Sequence, residues 1–144
     1  VEGIPPFAAD FLLDTTRAAI HYAKSGGLER YPDLKIILSH GGGFVPYAAE
    51  RIARICSPDG SNEAGIARLR QFYFDTALSS SPYALPSLLA FADHSRITFG
   101  SDWPYIHREY VDEQIANMRA MPELADIFPQ VERENALKLF PRFT

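Results

Sequence analysis

The sequence predicts an α/β protein in which short parallel strands alternate with helices. Three apolar stretches, at residues 34–38, 72–74 and 97–99, end in polar or glycine-containing loops, and a helix-like apolar pattern follows each of them. Hydrophobic residues make up 47% of the 144-residue chain, enough to build the core of one domain. We therefore treat residues 1–144 as one domain whose sheet is either open and doubly wound or part of a barrel.

A helix is expected ahead of the first strand. Apolar residues recur at helical spacing over residues 11–23, and the Ser-Gly-Gly run at residues 25–27 is typical of a helix end. The Pro-Asp pair at residues 32–33 then breaks the chain. Residues 34–38 (LKIIL) follow, and their continuous rather than alternating apolarity predicts a strand covered on both faces.

The rest of the chain repeats the order of strand, loop and helix. The first strand ends in His40 and three glycines, and apolar residues return at helical spacing from Pro46 to Cys56. The second strand, residues 72–74, ends at Asp75, and the loop of residues 100–104 follows the third. Further helices are expected over residues 64–71, 82–91, 110–118 and 131–140.

The composition excludes several classes of protein. The formal net charge is −4, from 14 basic and 18 acidic residues spread along the chain, which argues against a nucleic-acid-binding surface. No apolar run approaches the roughly 20 residues needed to cross a bilayer. The beginning of the chain lacks the pattern of a signal peptide, so we expect a cytoplasmic protein without a membrane partner. The single cysteine, Cys56, is expected to be a small buried residue.

Three ionisable residues stand where the predicted strands end, namely His40, Asp75 and Asp102. The carboxyl ends of parallel strands meet at one edge of a sheet, so these side chains can converge although they are distant in sequence. Three consecutive glycines weaken the local structure but let a ligand approach the backbone closely. Their position directly after His40 therefore favours a catalytic or metal-associated role for this residue. Asp102 is compatible with two roles, capping the following turn or binding a divalent cation.

Four segments in this order resemble the amidohydrolase-related family: residues 31–43 (YPDLKIILSHGGG), 72–77 (FYFDTA), 97–104 (ITFGSDWP) and 135–140 (NALKLF). That family includes aminocarboxymuconate-semialdehyde decarboxylase, resorcylate-type decarboxylases and several hydrolases and hydratases of ring-derived acids. The resemblance implies that the chain is the C-terminal part, strands six to eight, of a metal-dependent hydrolase TIM (β/α)8 barrel. It also implies one divalent metal, usually zinc, and a small carboxylated substrate.

The resemblance also implies roles for individual residues. His40 would polarise the substrate or contact metal-bound water, and Asp102 would be a metal ligand and proton acceptor. Arg51 would reach the substrate carboxylate, sometimes in the site of a neighbouring subunit, so we expect a homo-oligomer. His107, in the loop after Asp102, is a further candidate for substrate contact. Asp75 is expected to support its neighbours rather than to react.

The sequence departs from the family pattern at the metal site. The family also uses a His-x-His pair after the first strand and a histidine after the fifth, and this chain contains neither. We therefore expect upstream residues to complete the metal site of a hydrolase or decarboxylase. One alternative is a catalytically inactive half-barrel that acts as an assembly module. Another, an open α/β domain that binds an anion at the glycines after His40, is disfavoured because no GxGxxG or GxxxxGK segment occurs.

Overall fold

A computed structural model describes residues 3–143, and it confirms the alternation of helices and strands. The helices are α1 (Asp10–Lys24), α2 (Gly27–Arg30), α3 (Ala49–Cys56), α4 (Asn62–Leu69), α5 (Leu85–Phe91), α6 (Arg108–Ala120) and α7 (Asn135–Leu139). The strands are β1 (Ile37–Leu38), β2 (Tyr73–Asp75) and β3 (Ile97–Thr98). A π-helical turn, Gln130–Glu134, leads directly into α7.

The three strands form one parallel sheet in the order β1, β2, β3. Leu38 lies opposite Phe74, and Phe74 lies opposite Ile97, so the strands are in close register. The helices between them provide the crossover connections that parallel neighbours require. As a result, the loops that begin at Ser39, Thr76 and Phe99 all leave the sheet at the same edge.

Strand β1 differs from its prediction. Only two of the five predicted residues pair with β2, Leu34 is 57% exposed, and the side chains of Ile37 and Leu38 alternate between exposed and buried. The expectation of a strand covered on both faces is therefore wrong for β1. Within residues 3–143 β1 is an outer strand, so fewer neighbouring elements surround it than surround β2, and the charged Lys35 in the predicted run is exposed.

The core lies between the sheet and the helices. Phe72 and Phe74 are fully buried, and the ring of Phe74 meets the ring of Phe91 edge to face at 5.9 Å between centroids. Burying a side chain of this size contributes about 1.5–3 kcal/mol. Cys56 is buried in the same core and unpaired, as the sequence predicted.

Helices α3 and α4 pack against each other through a glycine. A methyl group at Gly65 would collide with the backbone of Ala53, so the helices approach more closely than any larger residue allows. At the other end of the chain, the Asn135 amide donates to the carbonyl oxygens of His94 (2.7 Å) and Ile97 (2.8 Å), which ties α7 to β3. No helix in the described part of the chain has both the length and the apolar composition to span a bilayer.

Candidate active site

An open cleft of about 1320 Å³ lies at the carboxyl edge of the sheet, and both His40 and Asp102 line it. The predicted convergence of these two residues is therefore observed. The walls are mainly apolar, as is usual for small-molecule sites. Aromatic side chains dominate them, namely Phe7, Phe11, Phe44, Tyr47, Tyr83, Tyr105 and Tyr110.

Each of the three loops that follow a strand places one non-glycine residue in the left-handed backbone region. These residues are His40 (φ 55°), Leu78 (φ 52°) and Asp102 (φ 62°), and all three line the cleft. A non-glycine residue in this region costs roughly 1–3 kcal/mol, and such residues cluster where function requires a fixed geometry. The unfavourable backbone conformations therefore lie in the same cleft as the ionisable side chains of His40 and Asp102.

Two hydrogen bonds hold the loop after β1 to the end of β2 and its loop, and a third orders the β2 side. One carboxylate oxygen of Asp75 accepts the backbone N–H of His40 (2.9 Å) and the backbone N–H of Ala77 (3.0 Å). The imidazole Nδ1 of His40 lies 3.1 Å from the carbonyl oxygen of Ala77. Because a carbonyl oxygen can only accept, this contact requires a proton on Nδ1, and in the neutral imidazole the lone pair then lies on Nε2.

Asp75 itself does not line the cleft. Burial raises the pKa of its carboxyl group, the N–H groups of Ala77 and His40 oppose that rise, and the nearby negative charge of Asp102 adds to it. The carboxyl group faces the backbone of its neighbours rather than a ligand. This placement agrees with the supporting role expected from the sequence, which stays a prediction until a variant tests it.

The glycines after His40 serve packing as much as ligand access. A methyl group at Gly42 would lie 2.7 Å from the ring of Phe74, and one at Gly43 would collide with the carbonyl of Leu12 in α1. Only Gly41 and Gly43 line the cleft. Close contact with the core and with α1 therefore explains much of the glycine run, which the sequence alone suggested was kept for a ligand.

The carboxylate of Asp102 makes no hydrogen bond or ion pair with any residue in the range 3–143, so the capping role considered for it is not observed. Its backbone carbonyl accepts the N–H of Tyr105 (2.9 Å), and a cis peptide bond joins Trp103 to Pro104. The next residue, Trp103, is 61% exposed and lies outside the cleft lining. Both carboxylate oxygens are therefore available to a ligand.

Gln114 is a site residue that the sequence reasoning missed. Its side chain is buried on α6, where Oε1 accepts the backbone N–H of Leu78 (2.8 Å) and Nε2 donates to the carbonyl of Ser101 (3.4 Å). It thus joins the loops that follow β2 and β3. The available signal was its spacing, since Gln114 and the buried Met118 lie one helical turn apart on one face.

Two predicted substrate contacts lie outside the cleft. Arg51 is exposed on α3, and His107 is exposed at the residue before α6, whereas its neighbour Ile106 does line the cleft. The structure therefore places neither side chain beside His40 and Asp102 within this chain. Their contact with a substrate, including contact across a subunit interface for Arg51, stays a prediction.

The donors for a metal ion are partly present. The carboxylate of Asp102, the one metal ligand expected from this chain, suits zinc or manganese. In the range that the structure covers, however, no group of three or more His, Cys, Asp or Glu side chains could hold a metal ion. The residues therefore fit one part of a metal site and do not complete it.

A family model and curated relatives match this sequence, and the two comparisons agree. The family model described as amidohydrolase matches residues 9–142. A 6-methylsalicylic acid decarboxylase of Penicillium expansum is 37% identical over an alignment of 144 residues. The alignment covers 96% of this chain and 44% of that protein. The chain thus spans less than half the length of this relative.

Comparison with solved structures gives the same fold. A crystal structure of an amidohydrolase II is 25% identical with a TM-score of 0.85, covering 96% of this chain and 47% of that one. A dihydroxybenzoic acid decarboxylase from Polaromonas, with bound manganese and the inhibitor 2-nitroresorcinol, is 25% identical with a TM-score of 0.73, covering 90% of this chain and 40% of that one. These structural neighbours are amidohydrolase TIM-barrel enzymes.

Proposed function

Because this chain belongs to the amidohydrolase family, we propose that it forms strands six to eight of a (β/α)8 barrel and carries part of a decarboxylase active site. The observation that carries the proposal is the single cleft lined by both His40 and Asp102 at the carboxyl ends of the strands, where TIM-barrel enzymes place their catalytic residues. The substrate would be a small aromatic carboxylic acid. The similarity to a 6-methylsalicylic acid decarboxylase and a dihydroxybenzoic acid decarboxylase supports this choice.

The lining of the cleft suits such a substrate. Aromatic side chains such as Phe44, Tyr47 and Tyr105 offer flat apolar surfaces against which a ring can pack. Decarboxylation converts a carboxylate into neutral CO₂, so charge leaves the reacting group as the reaction proceeds. An apolar wall disfavours the charged carboxylate more than the neutral product, and therefore favours the reaction.

The residues of this chain can manage the proton that decarboxylation requires. The bond between the ring carbon and the carboxylate breaks, CO₂ leaves, and the ring carbon takes up one proton. With its Nδ1 proton held by Ala77, His40 can exchange a proton at Nε2. Asp102, whose carboxylate is free of protein partners in the described range, can accept a proton or bind a cation.

A divalent metal ion, when bound, would supply positive charge that orients the oxygen atoms of the substrate. Asp102 would be the ligand from this chain, with the remaining ligands supplied by residues outside it. Zinc is the metal expected from the family resemblance, and manganese is the metal bound in the Polaromonas enzyme. Hydrolysis with metal-activated water would use the same two residues, but the similarity to the two decarboxylases favours loss of CO₂.

The proposal is tested by CO₂ release. The 144-residue chain, and a longer product that includes upstream coding sequence, are incubated with 6-methylsalicylic or 2,6-dihydroxybenzoic acid and either Zn²⁺ or Mn²⁺. We expect activity in the longer product and a loss of about 10²-fold or more in His40→Ala and Asp102→Ala. His21→Ala and Asp126→Ala are matched controls, because both side chains are exposed and neither lines the cleft. Full activity in both site variants would refute the assigned roles.

A second candidate function is that of an assembly module, in which the chain pairs with a copy of itself. The observation that favours it is the exposure of the aromatic residues around the cleft, since Tyr83 is 95% exposed and Tyr105 is 89% exposed. Strand β1 also presents an edge on which no other strand of residues 3–143 is paired. Covering these surfaces would favour a homo-oligomer under either candidate function.

A further inference from the structure

We propose that Gln114 and Asp75 are positioning residues which hold the peptide unit between Ala77 and Leu78 so that it keeps the proton of His40 on Nδ1. The inference rests on the proposed use of His40 in the cleft and deepens it. It assigns to a main-chain carbonyl the task of choosing which imidazole nitrogen is free to react. It assigns to two buried side chains the task of aiming that carbonyl.

The carbonyl oxygen of Ala77 and the N–H of Leu78 belong to the same peptide unit. In a trans peptide they point in opposite directions, so fixing one of them orients the other. The Leu78 N–H donates to Oε1 of Gln114 at 2.8 Å, and the Ala77 carbonyl oxygen lies 3.1 Å from Nδ1 of His40. Gln114 therefore holds the far side of the unit that receives the imidazole proton.

Asp75 holds the near side of the same segment. Its Oδ1 accepts the N–H of Ala77 and the N–H of His40, so one oxygen sets the distance between the two loops. The loop after β3 also approaches this side chain closely, because a methyl group at Gly100 would lie 2.9 Å from both Cβ and Cγ of Asp75. Asp75 therefore has little room to move relative to the backbone that it binds.

The backbone angles of two residues show that these hydrogen bonds hold a conformation that is unfavourable by itself. His40 and Leu78 both have positive φ angles, which disfavour non-glycine residues. The Ser79 hydroxyl also donates to the Ala77 carbonyl oxygen, at 3.2 Å. Without Asp75 and Gln114 this bond alone would oppose relaxation of His40 or Leu78, and the Ala77 carbonyl could turn away from the imidazole. Nδ1 would then lose its acceptor, and the preference for a proton on Nδ1 over Nε2 would weaken.

The test reads the tautomer of His40 directly, without substrate or metal. Long-range ¹H–¹⁵N spectra of the labelled chain at about pH 8.5, where histidines are normally neutral, distinguish a protonated from an unprotonated ring nitrogen. The chain has four histidines, and the signals that disappear in His40→Gln are assigned to His40. We expect a protonated Nδ1 and an unprotonated Nε2 in the unaltered chain. A proton on Nε2 would overturn the proposal by itself.

Variants of Gln114 separate positioning from general support of the fold. In Gln114→Leu, of similar volume but without polar atoms, the ratio of the two tautomers is expected to shift toward Nε2–H by about fivefold or more. Gln114→Glu keeps an oxygen that accepts the Leu78 N–H but replaces the donor to the Ser101 carbonyl by a second acceptor, so it should bring the ratio only part of the way back. Asp75→Ala should shift the ratio in the same direction as Gln114→Leu.

Near-ultraviolet circular dichroism shows whether each variant is folded. If Gln114→Leu does not fold, Gln114→Ala is measured for the same shift. An unchanged ratio in a folded Leu or Ala variant, or a ratio in Gln114→Glu no closer to the original than in Gln114→Leu, would overturn the proposal. The measurement is independent of CO₂ release, so the tautomer assignment and the proposed decarboxylase activity can fail separately.

Discussion

The carboxylate of Asp75, at the end of the middle strand, accepts the backbone N–H of His40, in the loop after the neighbouring strand, at 2.9 Å. The same oxygen accepts the N–H of Ala77. Hydrogen bonds to a charged acceptor are roughly twice as strong as those between neutral groups. The loops after β1 and β2 are therefore joined at the base of the cleft, and this link can be tested through stability.

Replacing Asp75 should lower the stability of the chain, and by less if the new side chain can still accept hydrogen bonds. Asp75→Ala leaves two N–H groups without a partner and should lower the free energy of unfolding by about 3 kcal/mol. Asp75→Asn keeps a carbonyl oxygen of similar size and should cost about 1 kcal/mol. Urea unfolding of both variants measures the difference. An equal loss in Ala and Asn would contradict the role of the two shared hydrogen bonds.

The contact between α3 and α4 depends on the absence of a side chain at Gly65. Gly65→Ala places a methyl group against the backbone of Ala53 and should cost about 1–3 kcal/mol through overpacking. Ala67→Ser adds one heavy atom at an exposed position of the same helix and should change stability by no more than about 0.5 kcal/mol. Thermal unfolding of the two variants compares them, and a neutral Gly65→Ala would show that the helices can separate without cost.

Asp59 should make stability depend on pH in the acid range. Hydrogen bonds from Ser57 and Ser61 lower the pKa of its carboxyl group from 3.8 to about 2 in the folded chain. The ionised form therefore stabilises the fold above the unfolded pKa, and this contribution is lost as the pH falls from about 4 to about 2. Urea unfolding at several pH values should show the advantage over Asp59→Asn shrinking across that interval.

The side chain of Ser57 provides the control for Asp59. Its hydroxyl donates to Asp59 Oδ1 at 2.7 Å, so Ser57→Ala removes the largest cause of the lowered pKa. The pH dependence should become weaker in that variant. A difference between the original chain and Asp59→Asn that stays constant between about pH 6 and pH 2 would contradict the assignment.

The aromatic rim of the cleft should drive self-association of the 144-residue chain. Tyr83 and Tyr105 are almost fully exposed, and covering apolar surface stabilises a complex by about 25 cal/mol per Å² before the costs of association. Sedimentation velocity should show species larger than a monomer as concentration rises. The double replacement Tyr83→Ser and Tyr105→Ser should reduce them, whereas Tyr31→Ser, exposed but away from the cleft, should not.

Two results of the sedimentation experiment would argue against association through the residues around the cleft. A chain that stays monomeric at every concentration would contradict both the assembly module and the homo-oligomer expected from the family resemblance. An equal effect of Tyr31→Ser would show nonspecific association rather than association through the cleft.

Local sequence patterns determined the main elements of this fold. Helical spacing over residues 11–23 predicted α1 (Asp10–Lys24) closely, and the apolar runs ending at Leu38, Phe74 and Phe99 predicted the three strands. The family resemblance carried by the SHGGG and GSDWP segments is confirmed by the match over residues 9–142. These signals are local, because apolar periodicity reports which face of an element is buried.

Only the tertiary structure decided how the site is held together. His40 and Asp102 could be placed at one edge of the sheet from strand order, but the links from Asp75 and Gln114 could not be foreseen. Those links depend on loops in which His40, Leu78 and Asp102 have left-handed backbones. Residue type encodes such conformations only weakly for non-glycine residues, since packing and hydrogen bonds from distant segments must offset their cost.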